Sequence, residues 1–372
     1  MVESERSKSK SIPSFKDLSD SPIHTILTKE SRQKESPEPL SNKIPPSSRP
    51  RKKTSIHQTL MNKLGLANEM AHAVAILDYQ LQWVDKGVEY LTDNKDFCVV
   101  GVIGGQGVGK STIASMLAGA RPTGARRSYM FWPQSRDVRE NGVNQTYGVY
   151  MAVSTERFIF LDTQPLMSHS LLDNIMYGDR SFMSEHLSPD TQIDIQSLQM
   201  MTFLMSVCHV LVVISDWSVD PMLPSMLKTA EMLKPPPLDS NSRDEHLPHV
   251  VFVYNFSDRS DFSQQEEHKS TLKLLMKHSK LVPKDPLVYW LPDNKLPIRG
   301  ATPPPPQYLQ YQGHASFQHC FEQLRNKVFS LPRGSLTSHP LTEKTWFHMA
   351  ARVWDSLQKS QQLIEYGRLL QT

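Results

Sequence analysis

Eight consecutive residues, Gly104-Gly105-Gln106-Gly107-Val108-Gly109-Lys110-Ser111, constrain this chain more than anything else in it. They fit the pattern G-x-x-x-x-G-K-[ST], with Gly104 and Gly109 as the outer glycines. Glycines let such a loop curl until successive backbone N–H groups point inward at phosphate oxygens. Lys110 then reaches the β- and γ-phosphates as a point charge, and the Ser111 hydroxyl ligates Mg²⁺. Thr112 is the next residue of the same run. The flanks supply the context that the pattern requires. The apolar run Phe97–Ile103 reads as a buried parallel strand, and Ile113–Ala118 as the helix after it. The expected ligands are therefore a nucleotide (GTP/GDP or ATP) and Mg²⁺.

Binding does not entail hydrolysis. A second buried strand, Phe158–Leu161, runs into Asp162-Thr163-Gln164-Pro165-Leu166. GTPases read Asp-x-x-Gly here: the Asp holds Mg²⁺ through water and the Gly N–H senses the γ-phosphate. Asp162 can still serve the metal. Pro165 stands in the glycine's place and has no N–H to donate. Leu166 stands where Ras-like enzymes carry the glutamine that orients the attacking water. Thr146, in Asn144-Gln145-Thr146 ahead of the strand Tyr147–Val153, is a further candidate metal ligand, with a turn residue as the plainer reading. The base-reading element is altered too. After the strand Val250–Tyr254 comes Asn255-Phe256-Ser257-Asp258, where a guanine reader has Asn-Lys-x-Asp. Asn255 and Asp258 are the candidate base contacts, with a solvated turn after the strand as the plainer reading; Phe256 removes the lysine that packs over the base, although an aromatic can stack there instead. Guanine selectivity does not follow, and an adenine nucleotide stays open. Asn144 and Asn255 also match the glycosylation pattern, but nothing else in the chain suggests secretion.

Charge separates a tail from the rest. The net charge of the 372 residues is +3, while residues 1–53 carry 12 Lys/Arg against 7 Asp/Glu. The remainder is slightly acidic, which argues against direct sequence-specific nucleic-acid binding. Residues 1–55, rich in Ser, Pro and Lys, are expected to be disordered. No apolar run reaches the length of a bilayer span, so no membrane role is expected. Cys98, Cys208 and Cys320 stand isolated and show no metal spacing, as reduced thiols of the cytoplasm or nucleus do. The histidines, His246 and His249 among them, read as surface or loop residues.

Periodicity organises the chain beyond the tail. Residues 56–95 form an amphipathic helical segment, with a helix predicted over His57–Thr92 from Leu60, Leu64, Leu66, Met70, Val74, Leu77, Leu81, Val84, Val88 and Leu91. Residues 96–295 form the nucleotide-binding domain. Within it Ala120–Gly142 is expected to be mobile and 163–190 irregular, with Pro165, Gly178 and Pro189 as breakers. Helices are expected at Thr191–Val207, Pro221–Lys234 and Gln264–Lys280, with strands at His209–Ile214 and Leu287–Leu291. A polar loop, Asp239–His246, precedes the Val250 strand. A proline-rich loop occupies 296–312. Residues 313–372 hold C-terminal helices, Phe317–Leu331 and one beginning at Thr342. The latter gathers Trp346, Phe347, Ala350, Val353, Trp354, Leu357, Ile364 and Leu369 into one apolar stripe, expected to dock on its own domain. The fold class is α/β: a doubly wound, mostly parallel sheet of the P-loop NTPase, G-domain-like kind, with helical additions at both ends and a disordered tail.

Several blocks together resemble a known family. They are Asn144-Gln145-Thr146, Phe160-Leu161-Asp162-Thr163-Gln164-Pro165, Val207-Cys208-His209-Val210, Asp216-Trp217, Thr229-Ala230-Glu231-Met232, Gly313-His314 with Ser316-Phe317, and Leu341-Thr342-Glu343-Lys344 with Trp346-Phe347-His348. Ala350-Ala351-Arg352 and Trp354-Asp355 complete the last block. Over roughly residues 57–372 the chain resembles the SMG-nine family of nonsense-mediated mRNA decay factors, G-like-domain subunits of a kinase complex. The resemblance accounts for Pro165 as a family trait. It implies pairing with a second G-like SMG subunit, and binding of the pair to a phosphatidylinositol-3-kinase-like protein kinase whose activity it controls. The expected function is thus a nucleotide-binding scaffold or regulatory subunit, a pseudo-GTPase rather than an enzyme. The alternative is an active switch GTPase or ATPase cycling between partner-bound states.

Overall fold

Alternation along the central strands decides how the chain is layered. In β2 (Cys98–Gly104), Cys98, Val100 and Val102 join one apolar cluster while Val99 and Ile103 join the other. A strand buried on both faces belongs inside a sheet covered by helices on each side. The computed structural model describes residues 70–120, 129–177, 187–216, 220–236, 246–282, 284–293 and 313–371. The expected disordered tail, the proline-rich loop 296–312, residues 121–128 of the stretch expected to be mobile and most of the polar loop before the Val250 strand lie outside them.

In chain order the elements are β1 (Val74–Leu77), a 3₁₀ turn (Asp85–Tyr90), β2, α1 (Lys110–Leu117), α2 (Arg136–Glu140), β3 (Val149–Val153), β4 (Phe158–Thr163), α3 (His169–Tyr177) and α4 (Pro189–Val207). They continue with β5 (Val210–Ser215), α5 (Met222–Met232), β6 (His249–Ser257), α6 (Arg259–Ser263), α7 (Gln265–Leu275), β7 (Leu287–Pro292), α8 (Phe317–Ser330), α9 (Glu343–Gln358) and α10 (Gln361–Leu369). The strands form one sheet in the order β1-β3-β4-β2-β5-β6-β7. Pairs β4–β2, β2–β5, β5–β6 and β6–β7 are parallel; β1–β3 and β3–β4 are antiparallel. The next strands after β2 in the parallel part lie on opposite sides of it, β4 on one and β5 on the other. The crevice beyond its carboxyl end is therefore a topological switch point, where open α/β sheets bind ligands.

One face carries α4 and α9, whose Leu204, Phe203, Trp346 and Trp354 pack on Val99, Ile103 and Leu211. The other carries α1 and α8, whose Ile113, Leu117, Leu324 and Val328 pack on Val100, Val102 and Val212. The C-terminal stripe docks on its own domain as expected: Trp346, Phe347, Ala350, Val353, Trp354 and Leu357 are all buried. Thr342 starts α9 with a reciprocal capping box through Thr345. Trp346 Nε1 donates to Val207 O (2.9 Å) and Trp354 Nε1 to Leu81 O (2.8 Å), so both indoles bury their polar edge satisfied. Ile364 and Leu369 of the expected stripe stand exposed on α10 instead.

Four expectations need correction. The helix predicted over His57–Thr92 is not formed by its described part, where Val74–Leu77 is a strand and Asp85–Tyr90 a 3₁₀ turn. The apolar run Val74-Ala75-Ile76-Leu77 pairs with the otherwise open edge of β3 (Val74↔Met151, Leu77↔Val149), and a sheet edge with unpaired N–H and C=O groups outweighs a loose helical period. Leu81, at φ 57°, lies outside any right-handed helix. The stretch 163–190, expected to be irregular, contains α3. Pro189 starts a helix rather than breaking one: it sits in the first turn of α4, where a missing N–H costs nothing, and Ser188 is the N-cap, its side chain accepting from Thr191 N. One histidine departs from the surface-or-loop reading. His209 is buried with Nδ1 accepting from Val99 N (3.0 Å); His246 lies in a loop, as expected, but is half-buried there, 2.8 Å from Cys208 O. The three cysteines are buried and free.

Candidate functional site

The loop after β2 folds as its glycines allow. Gly109 takes φ 94° at the N-cap of α1, and a Cβ there would stand 2.5 Å from Asn255 Nδ2, so any other residue would be strained in its backbone and would have to displace the Asn255 amide. Among the described residues, the amides of Gln106, Gly107 and Gly109 meet no protein acceptor. Helix α1 begins immediately afterwards, which aims its N-terminal partial positive charge at the same space.

Three chain segments bring their polar groups to this loop. Asp162 is the penultimate residue of β4, Thr146 precedes β3 and Ser111 is the second residue of α1. Ser111 Oγ donates to Asp162 Oδ2 (2.7 Å), Thr146 Oγ1 donates to the same oxygen (3.3 Å), and the two hydroxyls are 3.3 Å apart. Asp162 Oδ1 is buried without a partner. Burial pushes the Asp162 carboxyl up to about 6, against the opposing pull of the Ser111 hydrogen bond, the Lys110 charge, and the Thr146 and Thr163 hydrogen bonds. Lys110 is 6 % exposed and donates Nζ to Gly105 O (2.6 Å). Burial pushes it down to about 8, with Asp162 pulling the other way. An ammonium and a carboxylate buried together, with one carboxylate oxygen unmatched, suit a dianionic phosphate and a hard cation. Among the described residues no cluster of three His, Cys, Asp or Glu side chains is placed to hold a metal alone. Asp162, Ser111 and Thr146 would hold Mg²⁺ together with phosphate oxygens; the residues present fit that group.

The loop is tied to its neighbours by Gln106. Its Nε2 donates to Gly142 O (2.9 Å) and its Oε1 accepts from Ser168 Oγ (2.8 Å). Leu166 N adds a second tie, donating to Gly104 O (3.1 Å), and Gln164 joins the end of β4 to the residue before β3, accepting from Gly148 N (2.9 Å). Nothing in the sequence marks Ser168 or Gln164 for this, because their partners are 62 and 16 residues away.

A cleft of about 320 Å³ opens over these groups. Of the residues singled out from sequence, Gln106, Gly107, Gly109, Lys110, Ser111, Thr112, Thr146 and Asn255 line it, as do Asn144, Gln145, Pro165 and Phe256, while Gly104, Gly105, Val108 and Asp162 do not. Asn255 Nδ2 donates to Val108 O (2.9 Å), bracing the loop. Asp258 does not line the cleft. Its carboxylate caps α6, accepting from Ser260 N (2.7 Å), Ser260 Oγ (2.6 Å) and Asp261 N (3.1 Å). Those hydrogen bonds, the Ser260 hydroxyl first, hold it below the usual carboxylate range. Phe317, Asp293, Met116 and Tyr129 line the cleft without having been singled out; Asp293 had a readable signal, directly following the last parallel strand. Asn144 and Asn255 are both buried, which removes them as glycan acceptors.

Among the described residues no helix is long and apolar enough to cross a membrane. No protein-family model matches the chain. Curated relatives do. The nonsense-mediated mRNA decay factor SMG9 of Xenopus laevis is 38 % identical over 349 residues, covering 83 % of this chain and 69 % of its own length. The protein of the same name from Xenopus tropicalis gives the same identity and coverage. That of Salmo salar is 38 % identical, covering 82 % of this chain and 69 % of its own.

Proposed function

Because this chain belongs to the SMG9 family of nonsense-mediated mRNA decay factors, we propose that it serves that process as a nucleotide-holding, non-hydrolysing subunit. The observation that carries the proposal is the convergence of Ser111 and Thr146 on buried Asp162 beside Lys110, at a cleft whose wall includes Pro165. The strand order, with β3 antiparallel beside β4 and the glycine loop at the switch point, supports a P-loop NTPase fold of the G-like kind. In this reading the free loop amides and Lys110 hold the phosphates, and Asp162, Ser111 and Thr146 hold Mg²⁺, which neutralises phosphate charge.

Hydrolysis needs more than holding. An N–H must meet the terminal phosphate after the Asp-x-x step, and a side chain must orient the water. Pro165 has no N–H, the Leu166 N–H is engaged by Gly104 O, and the Leu166 side chain is buried and apolar. Neither requirement is met at these positions. The nucleotide then acts as a structural ligand that fixes the loops around it. The family resemblance supports a second G-like SMG subunit and a phosphatidylinositol-3-kinase-like kinase as the partners, and the three free cysteines support the cytoplasm or nucleus as the site of action. A cycling switch NTPase would need a water-orienting group supplied by a partner.

The test is the nucleotide content of the purified chain. Wild type is expected to release a nucleotide detectable by mass spectrometry, and Lys110→Ala to release none. A ligand at a hundred to a thousand times its Kd stabilises a fold by about 3–4 kcal/mol, so the variant should also melt lower. Equal nucleotide content in both proteins refutes the site.

A further inference from the structure

The cleft extends past the phosphate loop. Asp162 lies on the β4 side of β2; on the other side, at the carboxyl end of β6 and the start of α8, Phe256 and Phe317 line the same cleft. Phe256 is the odd residue of its strand. It is 47 % exposed while its neighbours Tyr254, Asn255 and Ser257 are buried, and its φ of 59° is unfavourable for a bulky side chain. The pairing of β6 with β7 shifts register between Tyr254 and Ser257, an irregularity of the kind that re-aims a side chain next to a site. The ring tip, Cζ, comes 3.9 Å from where a Cβ on Gly109 would sit, beside the N-terminus of α1. An aromatic face held in strained backbone at the rim of a ligand cleft is a feature to be explained by a ligand.

The carboxylate expected to read the base is engaged elsewhere. All the hydrogen bonds found for the Asp258 carboxylate go to Ser260 and Asp261 within its own helix cap, and it stands outside the cleft lining. The Asn255 amide nitrogen goes to Val108 O.

We propose that this part of the cleft holds a purine base against the faces of Phe256 and Phe317, and that it takes guanine and adenine alike because Asp258 does not read the base. The proposal rests on the reading of the glycine loop as a nucleotide phosphate site. Stacking supplies binding without discrimination, since both purines present the same π-surface. Asn255 is then a brace for the loop rather than a base contact. Asp293 is the carboxylate lining this side of the cleft and is the check on the claim.

The experiment measures dissociation constants of the full chain, freed of co-purified nucleotide, for GDP, ADP, UDP and CDP with Mg²⁺. GDP and ADP should bind within about fivefold of each other, and the pyrimidine nucleotides about tenfold more weakly for their smaller stacking area. Phe256→Ala should weaken both purine nucleotides by about tenfold and by the same factor. Phe256→Leu, which keeps apolar bulk but removes the ring, should do likewise; the exposed position makes both variants safe for folding. Asp258→Asn should leave the GDP-to-ADP ratio unchanged. A wild-type preference beyond fivefold for one purine, or selective loss of one purine on Asp258→Asn or Asp293→Asn, overturns the proposal while leaving the phosphate site standing. Failure of wild type to bind any of the four overturns both.

Discussion

Replacing Asp162 by Asn should make the ligand-free protein more stable at neutral pH while destroying its hold on Mg²⁺-nucleotide. Asp162 is buried at the centre of the site, and burial raises its carboxyl to about 6. Against an ordinary value near 3.9, two units of difference correspond to about 3 kcal/mol of destabilisation once the group is ionised. The folded chain keeps its proton to higher pH than the unfolded chain does. Stability from this group is therefore greatest below about pH 4, falls as pH rises towards 6, and stays low above. Asn keeps an acceptor for Ser111 and removes the charge, but it sets an NH₂ group where Oδ1 now lacks a partner, at about 1 kcal/mol or more. Lys110 also loses its counter-charge. The net gain at pH 7.5 should be about 1–2 kcal/mol, turning into a cost of about 1 kcal/mol near pH 4, where only the unmatched NH₂ remains. Urea unfolding in EDTA from pH 4 to 8 measures it, read as the difference between variant and wild type. An Asn variant less stable than wild type at pH 7.5, by a margin independent of pH, would refute the reasoning. Binding sites commonly store instability of this kind for their ligand to relieve.

Other expectations come from the same packing. Trp346→Ala removes a fully buried indole and strands Val207 O, and should cost about 3–5 kcal/mol in urea unfolding; a stable Trp346→Ala protein that has lost only a binding partner would make the α9 stripe an interface. Glu343, wholly buried at the start of α9, pairs with Arg157 and accepts from Thr92 N (2.7 Å). Glu343→Ala leaves that arginine uncompensated and should cost about 3–5 kcal/mol, with a double variant lacking Arg157 recovering part of it. His209 is held down to about 4 by burial first, then by the neighbouring His246. Its folded pKa lies below the unfolded one, so its contribution is present above about pH 6.5 and lost as pH falls towards 4; His209→Gln should flatten that limb of the urea profile.

Particular residues explain how much of the fold and site is legible in the sequence. The glycine loop and its flanks are contiguous, and each of their features is local: apolar strand, glycines, lysine, helix. The α9 stripe is equally legible because six of its apolar residues repeat at helical spacing on one helix. Asp258 misleads because a carboxylate two and three residues ahead of free amides can serve a helix cap as readily as a ligand, and the local hydrogen bonds win. Val74–Leu77 misleads because a four-residue apolar run carries no period of its own, and the β3 edge that recruits it lies more than 70 residues away. Ser168 and Gln164 have no local signature at all; only the fold brings them to Gln106 and Gly148.

The site is expected to hold a nucleotide without cleaving it. Single-turnover assays with GTP and with ATP, each bound to the full chain with Mg²⁺, test it most directly. The triphosphate is predicted to stay bound and intact, with hydrolysis no faster than the unassisted rate of about 10⁻⁴–10⁻³ per second, and unchanged by a partner subunit. Turnover accelerated a thousandfold or more by a partner, on the scale of an inserted arginine, would contradict it.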